Sequence, residues 1–206
     1  MADWSTHLYC ARKVNKELLF EGMDFDLFLY GNLLPDINPG WVVQPSVHID
    51  QSITHFENGF SGQDYFWSPM RFYEKYASEI SKKNPVILGY LFHLWLDVNV
   101  MTFFMSRVPF SDVINNGSEV NKWKRNDLNV YIHEYPQQLG IENVAAVVEA
   151  SKRIEEISIS EKDLLQVPCK VDNSVTDMID GKYHIFDEKT LDEFYERICK
   201  DFVNWC

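Results

Sequence analysis

The sequence predicts an all-α fold, a compact multi-helix bundle that forms a single domain over residues 1–206. Apolar residues recur at helical spacing along most of the chain, and capping residues and prolines mark several helix starts. The segment from Pro85 to Phe104 is apolar around most of its circumference, which is typical of a buried core helix. With 46% hydrophobic and 15% aromatic residues, the chain can build a sizeable core, which excludes disorder as a description of the whole.

Four helices are predicted in the first half of the chain. They run from a Ser5/Thr6 cap to about Leu19, from about Asp24 to Leu33, onward from the Ser68-Pro69 pair, and from Pro85 to Phe104. The second helix ends before Pro35, because proline cannot continue a helix. Prolines and glycines punctuate residues 38–63, which predicts an irregular segment there.

Three further helices are predicted in the second half. They run from Ser118 towards Tyr135, from Ile141 to about Ile157, and from an Asp187 cap to Trp205. Residues 161–182 are expected to be irregular. The four residues from Tyr183 to Phe186 are too few to decide for or against a short strand.

The charge balance argues against a dedicated nucleic-acid binder. The chain has 19 Lys and Arg residues against 31 Asp and Glu residues, which gives a formal net charge of −12. Such a surface repels polyanions at long range, whereas phosphate-backbone recognition needs clustered cations. A small or zwitterionic partner is therefore expected rather than DNA or RNA. Oligomeric state is not predicted.

The remaining sequence signals point to the cytoplasm. The N-terminus shows no secretory signal, and the four cysteines are scattered, which is typical of free thiols in a reducing compartment. Asp97 divides the most apolar segment into stretches shorter than the roughly 20 residues a membrane span needs. No transmembrane segment is therefore predicted.

Two polar residues, His93 and Asp97, interrupt the most apolar helix. A spacing of four residues puts both side chains on one face, one turn apart, where they can share a metal ion or hydrogen-bond each other. A buried carboxylate is costly without a partner, so both interpretations require one. This pair alone leaves a metal site and a metal-free His–Asp pair equally open.

Three other residues are individually ambiguous. Asp36 follows a tight Leu-Leu-Pro corner and on its own is a turn aspartate. His55 lies between apolar neighbours in the irregular segment, and His7 occupies the first turn of the first helix. Taken with His93 and Asp97, they form the mixed nitrogen and oxygen ligand set that suits zinc. The absence of cysteine disfavours a thiolate structural site.

Four short motifs in this order resemble the bacterial zinc-dependent phospholipase C family, whose helical fold is shared with fungal single-strand-specific zinc nucleases. The motifs are Trp4-Ser-Thr-His7-Leu, Gly31-Asn-Leu-Leu-Pro35-Asp36, Thr54-His55-Phe56 and Leu88-Gly-Tyr-Leu-Phe-His93-Leu-Trp-Leu-Asp97. They cover roughly residues 4 to 104. The resemblance implies a helical bundle with a metal cluster at one end that hydrolyses phosphodiester bonds. It also implies one zinc site made by Asp36, His55, His93 and Asp97, and a second at His7 that shares Asp97 as a bridge.

The chain departs from that family in two respects. The family ligates metal through the amine and carbonyl of an N-terminal Trp, a role that Trp4 cannot take because three residues precede it. The family's later histidines and glutamate are also missing, since only His133 and His184 follow Asp97. Asp127 is a candidate to complete the second site, because helical spacing turns it inward; the alternative is an aspartate satisfied by a tyrosine hydroxyl or a backbone group.

Two functions therefore compete. The first is a zinc-dependent hydrolase of small-molecule or phospholipid phosphate esters with one or two ions, in which the resemblance makes Asp36 the residue that takes the proton of the attacking water. Aromatic residues in the irregular segment would line its cleft, although local packing is the better explanation for most of them: Trp41, Phe56, Phe60, Tyr65, Phe66 and Trp67. The second is a catalytically degenerate helical protein that binds metal or another macromolecule. An HD-type phosphohydrolase is set aside because the chain has no His-Asp dipeptide.

Overall fold

The computed structural model of the chain describes residues 3–57, 68–133, 135, 137–140, 142–173 and 181–206. It confirms the all-α class, and no β-strand occurs in these ranges. The ten α-helices described are α1 (Trp4–Leu18), α2 (Gly22–Gly31), α3 (Gln51–Thr54), α4 (Pro69–Ser81), α5 (Pro85–Met105), α6 (Phe110–His133), α7 (Val144–Ser151), α8 (Glu161–Leu164), α9 (Val167–Asn173) and α10 (Glu188–Trp205). A short 3₁₀ helix, Leu34–Asp36, follows α2.

Helix α5 lies at the centre of the molecule. It packs against α1, α2, α4, α7 and α10, and its residues are buried on every side of the first three turns. By length and composition alone α5 is also long and apolar enough to cross a membrane, but 67% of its apolar 18-residue window is buried inside the molecule. Its environment is that of a core helix, and it does not show a membrane span.

The closest helix packing in the core joins α2 and α5 through two glycines. A Cβ atom built on Gly31 would lie 2.4 Å from the carbonyl oxygen of Val86, and one built on Gly89 would lie 2.2 Å from that of Phe28. No side chain fits at either distance, because real Cβ atoms essentially never approach a neighbour below 3.0 Å. The two glycines therefore allow the backbones of α2 and α5 to touch.

Several predicted helix ends are confirmed, and others move for identifiable reasons. Ser68 caps α4 and Asp187 caps α10, as predicted. Helix α1 begins earlier than the predicted Ser5/Thr6 cap, because the Asp3 side chain accepts the amide of Thr6 at 2.7 Å.

The second half contains more local structure than the sequence predicts. Helix α6 begins at Phe110 rather than Ser118, and α7 ends at Ser151 rather than Ile157. After α7 the chain turns towards α4, where the Tyr76 hydroxyl accepts the amide of Glu155 and donates to the Glu156 carboxylate. Within the segment expected to be irregular, a reciprocal capping box between Ser160 and Asp163 starts the short helix α8.

The contact between α2 and α5 predicts that alanine substitutions at two helical glycines have very different effects on the free energy of unfolding. Gly89→Ala should lower the free energy of unfolding by roughly 1–3 kcal/mol or more, because its methyl group collides with the backbone of α2. Gly117→Ala in α6 is the matched control: its added Cβ meets nothing within 4 Å. That control should be neutral or stabilising by up to about 1 kcal/mol, because alanine has the higher helix propensity. Urea unfolding of both variants measures the difference, and equal effects would contradict the close crossing.

Candidate metal centre

Five buried histidine and aspartate side chains meet where α1, the 3₁₀ helix, α3 and α5 converge. Helix α1 supplies one, the 3₁₀ helix one, the residue that ends α3 one, and α5 two: His7, Asp36, His55, His93 and Asp97. Asp36 is 3% exposed and the other four are fully buried. Hydrophobic burial of α5 explains how a histidine and an aspartate come to lie in the interior, because both sit on a helix that is otherwise apolar.

Four of these side chains lie at the spacing of ligands around one ion. The Nε2 atom of His55 is 3.2 Å from Nε2 of His93, 3.4 Å from Oδ1 of Asp36 and 3.9 Å from Oδ2 of Asp97. Nε2 of His93 lies 3.5 Å from Asp97 Oδ2 and 3.9 Å from Asp36 Oδ1. Bonds of about 2.0–2.2 Å in a tetrahedral zinc site separate neighbouring ligand atoms by about 3.3–3.6 Å. These buried groups could therefore hold a metal ion.

Hydrogen bonds on the outer edges of the two imidazoles turn their Nε2 atoms towards the centre. Nδ1 of His93 lies 2.8 Å from the carbonyl oxygen of Asn32, which can only accept, so Nδ1 carries the proton. In the neutral ring Nε2 then presents its lone pair, the form that binds metal. Nδ1 of His55 lies 2.9 Å from the hydroxyl of Thr54, whose carbonyl accepts a hydrogen bond from Tyr90.

His7 lies beside His93 and contacts the other oxygen of Asp97. Its Nε2 atom lies 3.3 Å from Oδ1 of Asp97, whereas Oδ2 of the same carboxylate is the oxygen near His93 and His55. The His7 ring stacks on that of His93 with centroids 4.0 Å apart. Ligand atoms of His7, Asp36 and His93 also lie within 4.8 Å of one another, so these three residues form a second group that could hold an ion.

The electrostatics of the cluster favour ionised carboxylates and a neutral His7. Burial by itself raises the pKa of Asp97, but the adjacent imidazoles of His7 and His93 outweigh it and hold the pKa well below its usual value. The pKa of Asp36 is also lowered: burial opposes this, and the charge of His93 together with the adjacent imidazole of His55 prevails. Burial and the neighbouring His93 lower the pKa of His7. Ionised carboxylate and neutral imidazole are the forms that bind metal.

The pKa of His93 shifts in the opposite direction to that of His7. Burial lowers its pKa, but the carboxylates of Asp36 and Asp97 and the Asn32 carbonyl raise it by more, so the net direction is upward. A proton on Nε2 of His93 and a metal ion would occupy the same position between the carboxylates, because both satisfy the same negative charge. Metal binding here is therefore expected to release a proton.

Three groups around the cluster were not anticipated from the sequence. The indole Nε1 of Trp4 donates to Oδ2 of Asp36 at 3.0 Å, the Asn32 side chain donates to the carbonyl of His7 at 2.7 Å, and Thr54 orients His55. Trp4 and Thr54 lie inside the sequence motifs that carry the family resemblance, and the spacing of Trp4 and His7 puts both on one face of α1. That spacing is the signal that sequence reasoning had available for Trp4.

Asp127, predicted as a further ligand, has a different role. It is fully buried, as its helical spacing predicts, but its oxygens accept the backbone amides of His184, Ile185 and Phe186 at 2.7, 2.6 and 2.9 Å. Within the described ranges, it belongs to neither of the groups that could hold an ion. These three amides bind a carboxylate instead of a neighbouring strand, so residues 183–186 form no sheet.

The three histidines outside the cluster, His48, His133 and His184, are exposed. Of the aromatic residues that would line a cleft, Trp41 is exposed and Phe56 is half-buried; Phe60, Tyr65, Phe66 and Trp67 lie outside the described residues.

Comparison with known proteins identifies no family. No protein-family model matches the sequence, and neither the curated proteins nor the solved structures yield a match. The resemblance to zinc-dependent phospholipase C therefore rests on the four sequence motifs alone.

The environment of Asp127 predicts a purely structural effect of its substitution. Asp127→Asn should lower the free energy of unfolding by about 1.5–3 kcal/mol, because an amide offers one acceptor oxygen and sets N–H groups against buried backbone N–H donors. Metal content should not change. Urea unfolding and elemental analysis measure the two effects, and loss of metal without loss of stability would return Asp127 to the ligand set.

Proposed function

We propose that this chain is a metal-dependent hydrolase of phosphate esters, with zinc as the favoured ion. The observation that carries the proposal is that Nε2 of His55 and Nε2 of His93 lie 3.2 Å apart, and that each lies 3.4–3.9 Å from one carboxylate oxygen of Asp36 and one of Asp97. His55, His93, Asp36 and Asp97 would hold the first ion. Structural zinc sites commonly use cysteine, so this all-nitrogen and oxygen set favours a site for chemistry.

The position of His7 supports a second ion. Nε2 of His7 lies 3.3 Å from Oδ1 of Asp97, and ligand atoms of His7, Asp36 and His93 lie within 4.8 Å of one another. An ion bound there would share Asp97 with the first, as in two-metal hydrolases, where the ions lie about 3.5–4 Å apart. So few protein ligands leave coordination positions at such an ion open for water or a phosphoryl oxygen. His7 is therefore the residue that adds an ion whose coordination by the protein is incomplete.

Hydrolysis at the site would use the bound ion together with Asp36, His55 and His93. Bound zinc lowers the pKa of a coordinated water and polarises a phosphoryl oxygen. Asp36 would serve the site through Oδ1, as a ligand or as the acceptor of the water proton, because Oδ2 is held by Trp4. The imidazoles of His55 and His93 are held by Thr54 and Asn32, so their orientation costs nothing during the reaction.

The charge of the chain narrows the substrate class. A formal net charge of −12 repels long polyanions, which favours a small phosphate ester or a zwitterionic phospholipid headgroup over nucleic acid. This preference supports an ester with an uncharged or zwitterionic leaving portion.

One observation favours a second candidate, a helical protein whose metal ion is structural. All five cluster residues are at most 3% exposed, so the cluster lies below the surface formed by the described residues. Four protein ligands that close a tetrahedron leave no position for water, and such an ion stabilises the fold without catalysis. The two candidates differ in whether the bound ion can be reached by a phosphate ester.

Metal content is the first test of either candidate. Elemental analysis of the purified protein should find one or two zinc ions per chain, and Asp97→Asn should lose most of them, because it weakens the ligand common to both positions. Asp127→Asn provides the matched control, since it makes the same change at a fully buried aspartate outside the cluster. If Asp97→Asn retains the full metal content, the proposed site is refuted.

Hydrolysis is the second test. Activity should be lost to a chelator and restored by zinc, with short-chain phosphatidylcholine and an aryl phosphodiester cleaved better than a single-stranded oligonucleotide. His55→Ala and Asp97→Asn should abolish turnover and leave the circular dichroism helical, because the apolar core does not include these side chains. Stoichiometric zinc without turnover on any of the three substrates would favour the structural metal protein.

A further inference from the structure

We propose that Trp4 is a positioning residue for the metal centre: its indole N–H holds Asp36 so that this carboxylate offers a single oxygen, Oδ1, to the ion. The inference rests on the proposed function, because it assumes that the cluster binds metal. The indole Nε1 lies 3.0 Å from Oδ2 of Asp36, and the two side chains are 2% and 3% exposed. A hydrogen bond in so dry a setting is directional and competes with no solvent.

The two oxygens of Asp36 are not equivalent. Oδ2 accepts the indole proton, whereas Oδ1 lies 3.4 Å from Nε2 of His55 and 3.9 Å from Nε2 of His93. Within the described residues Oδ1 accepts no hydrogen bond that meets normal geometry. The carboxylate therefore has one oxygen committed to the protein and one directed at the ligand nitrogens, which favours monodentate binding. Ligand carboxylates in metalloproteins are commonly hydrogen-bonded in this way.

The start of α1 places both the Trp4 indole, which makes this hydrogen bond, and the His7 imidazole. Trp4 and His7 are three residues apart, so both side chains project from one face of the helix. Asp3 caps this turn, and the Asn32 side chain donates to the carbonyl of His7 at 2.7 Å, which ties α1 to the end of α2. Asp36 lies only four residues beyond Asn32, so the tie that places His7 also fixes the distance between Trp4 and Asp36.

The test measures metal affinity and does not depend on catalysis. Zn²⁺ is titrated into metal-free protein in competition with a chromophoric chelator. Trp4→Phe, which retains the apolar ring and removes the donor, should bind 10- to 100-fold more weakly, the range typical of second-sphere substitutions. Trp95→Phe is the matched control, because it also removes an indole N–H, one that donates to the Ile198 carbonyl at 3.3 Å on the face of α5 towards α10. Its affinity should stay within about twofold of wild type.

A double-mutant cycle separates positioning from general damage to the core. In an Asp36→Asn background, Trp4→Phe should have much less effect on affinity than in the wild type, because the carboxylate that it positions is gone. An equal loss in both backgrounds, or an affinity for Trp4→Phe within twofold of wild type, would overturn the proposal. If wild type binds no zinc, the proposed function itself fails.

Should Trp4→Phe fail to fold, the wild-type protein and Asp36→Asn provide a second readout. Among the six indole N–H resonances of ¹⁵N-labelled protein, that of Trp4 should shift on addition of zinc and again on Asp36→Asn, while that of Trp95 stays in place. A Trp4 resonance that responds to neither change would overturn the positioning role.

Discussion

The backbone contact between α2 and α5 is the constraint on which the candidate metal centre depends. Gly31 and Gly89 let the two helices approach until their backbones touch, and the carbonyl of Asn32, the next residue after Gly31, then lies 2.8 Å from Nδ1 of His93. A wider crossing would withdraw that carbonyl, leave the buried imidazole without its acceptor and free the ring to rotate. The same crossing brings the 3₁₀ helix that carries Asp36 within 3.9 Å of His93. One packing contact thus sets both the tautomer and the neighbours of His93.

Charge explains why these five residues form a coupled unit. Two carboxylates and three imidazoles are buried almost completely, and an uncompensated buried charge is costly. Without metal, the carboxylates are compensated by the hydrogen bond that Trp4 donates to Asp36 and by the imidazole of His93, whose pKa they raise. One divalent ion would balance the two negative charges of Asp36 and Asp97. A second ion at His7 would leave an excess of two positive charges, which an anion such as hydroxide or a phosphate ester would neutralise. The charge balance of a two-ion state therefore fits the proposed substrate class.

Local signals in the sequence predict the helices well and the site only in part. The caps Ser68 and Asp187 and the apolar run of α5 are encoded within a few residues, so the corresponding helices are confirmed. The spacing of His93 and Asp97 likewise predicts that they share a face. The short helices α3, α8 and α9 carry too few residues for a periodic pattern, and their existence depends on caps and contacts made far along the chain. The amides of residues 184–186 bind Asp127, 57 to 59 residues away, and no local pattern encodes such a partner.

His7 is the residue that best separates a catalytic from a structural metal site. On their own Asp36 and His55 are ambiguous in the sequence, whereas the structure places both within 3.9 Å of Nε2 of His93. A structural ion needs no more than the four ligands proposed for the first ion. His7 places its Nε2 atom 3.3 Å from Oδ1 of Asp97, and within the described residues that nitrogen makes no hydrogen bond of normal geometry. A histidine that served only to orient Asp97 would be expected to donate a hydrogen bond to it, because an unsatisfied buried nitrogen costs about 1–3 kcal/mol. An ion bound by Nε2 and Oδ1 would satisfy that nitrogen, and its remaining coordination positions would be available to the substrate.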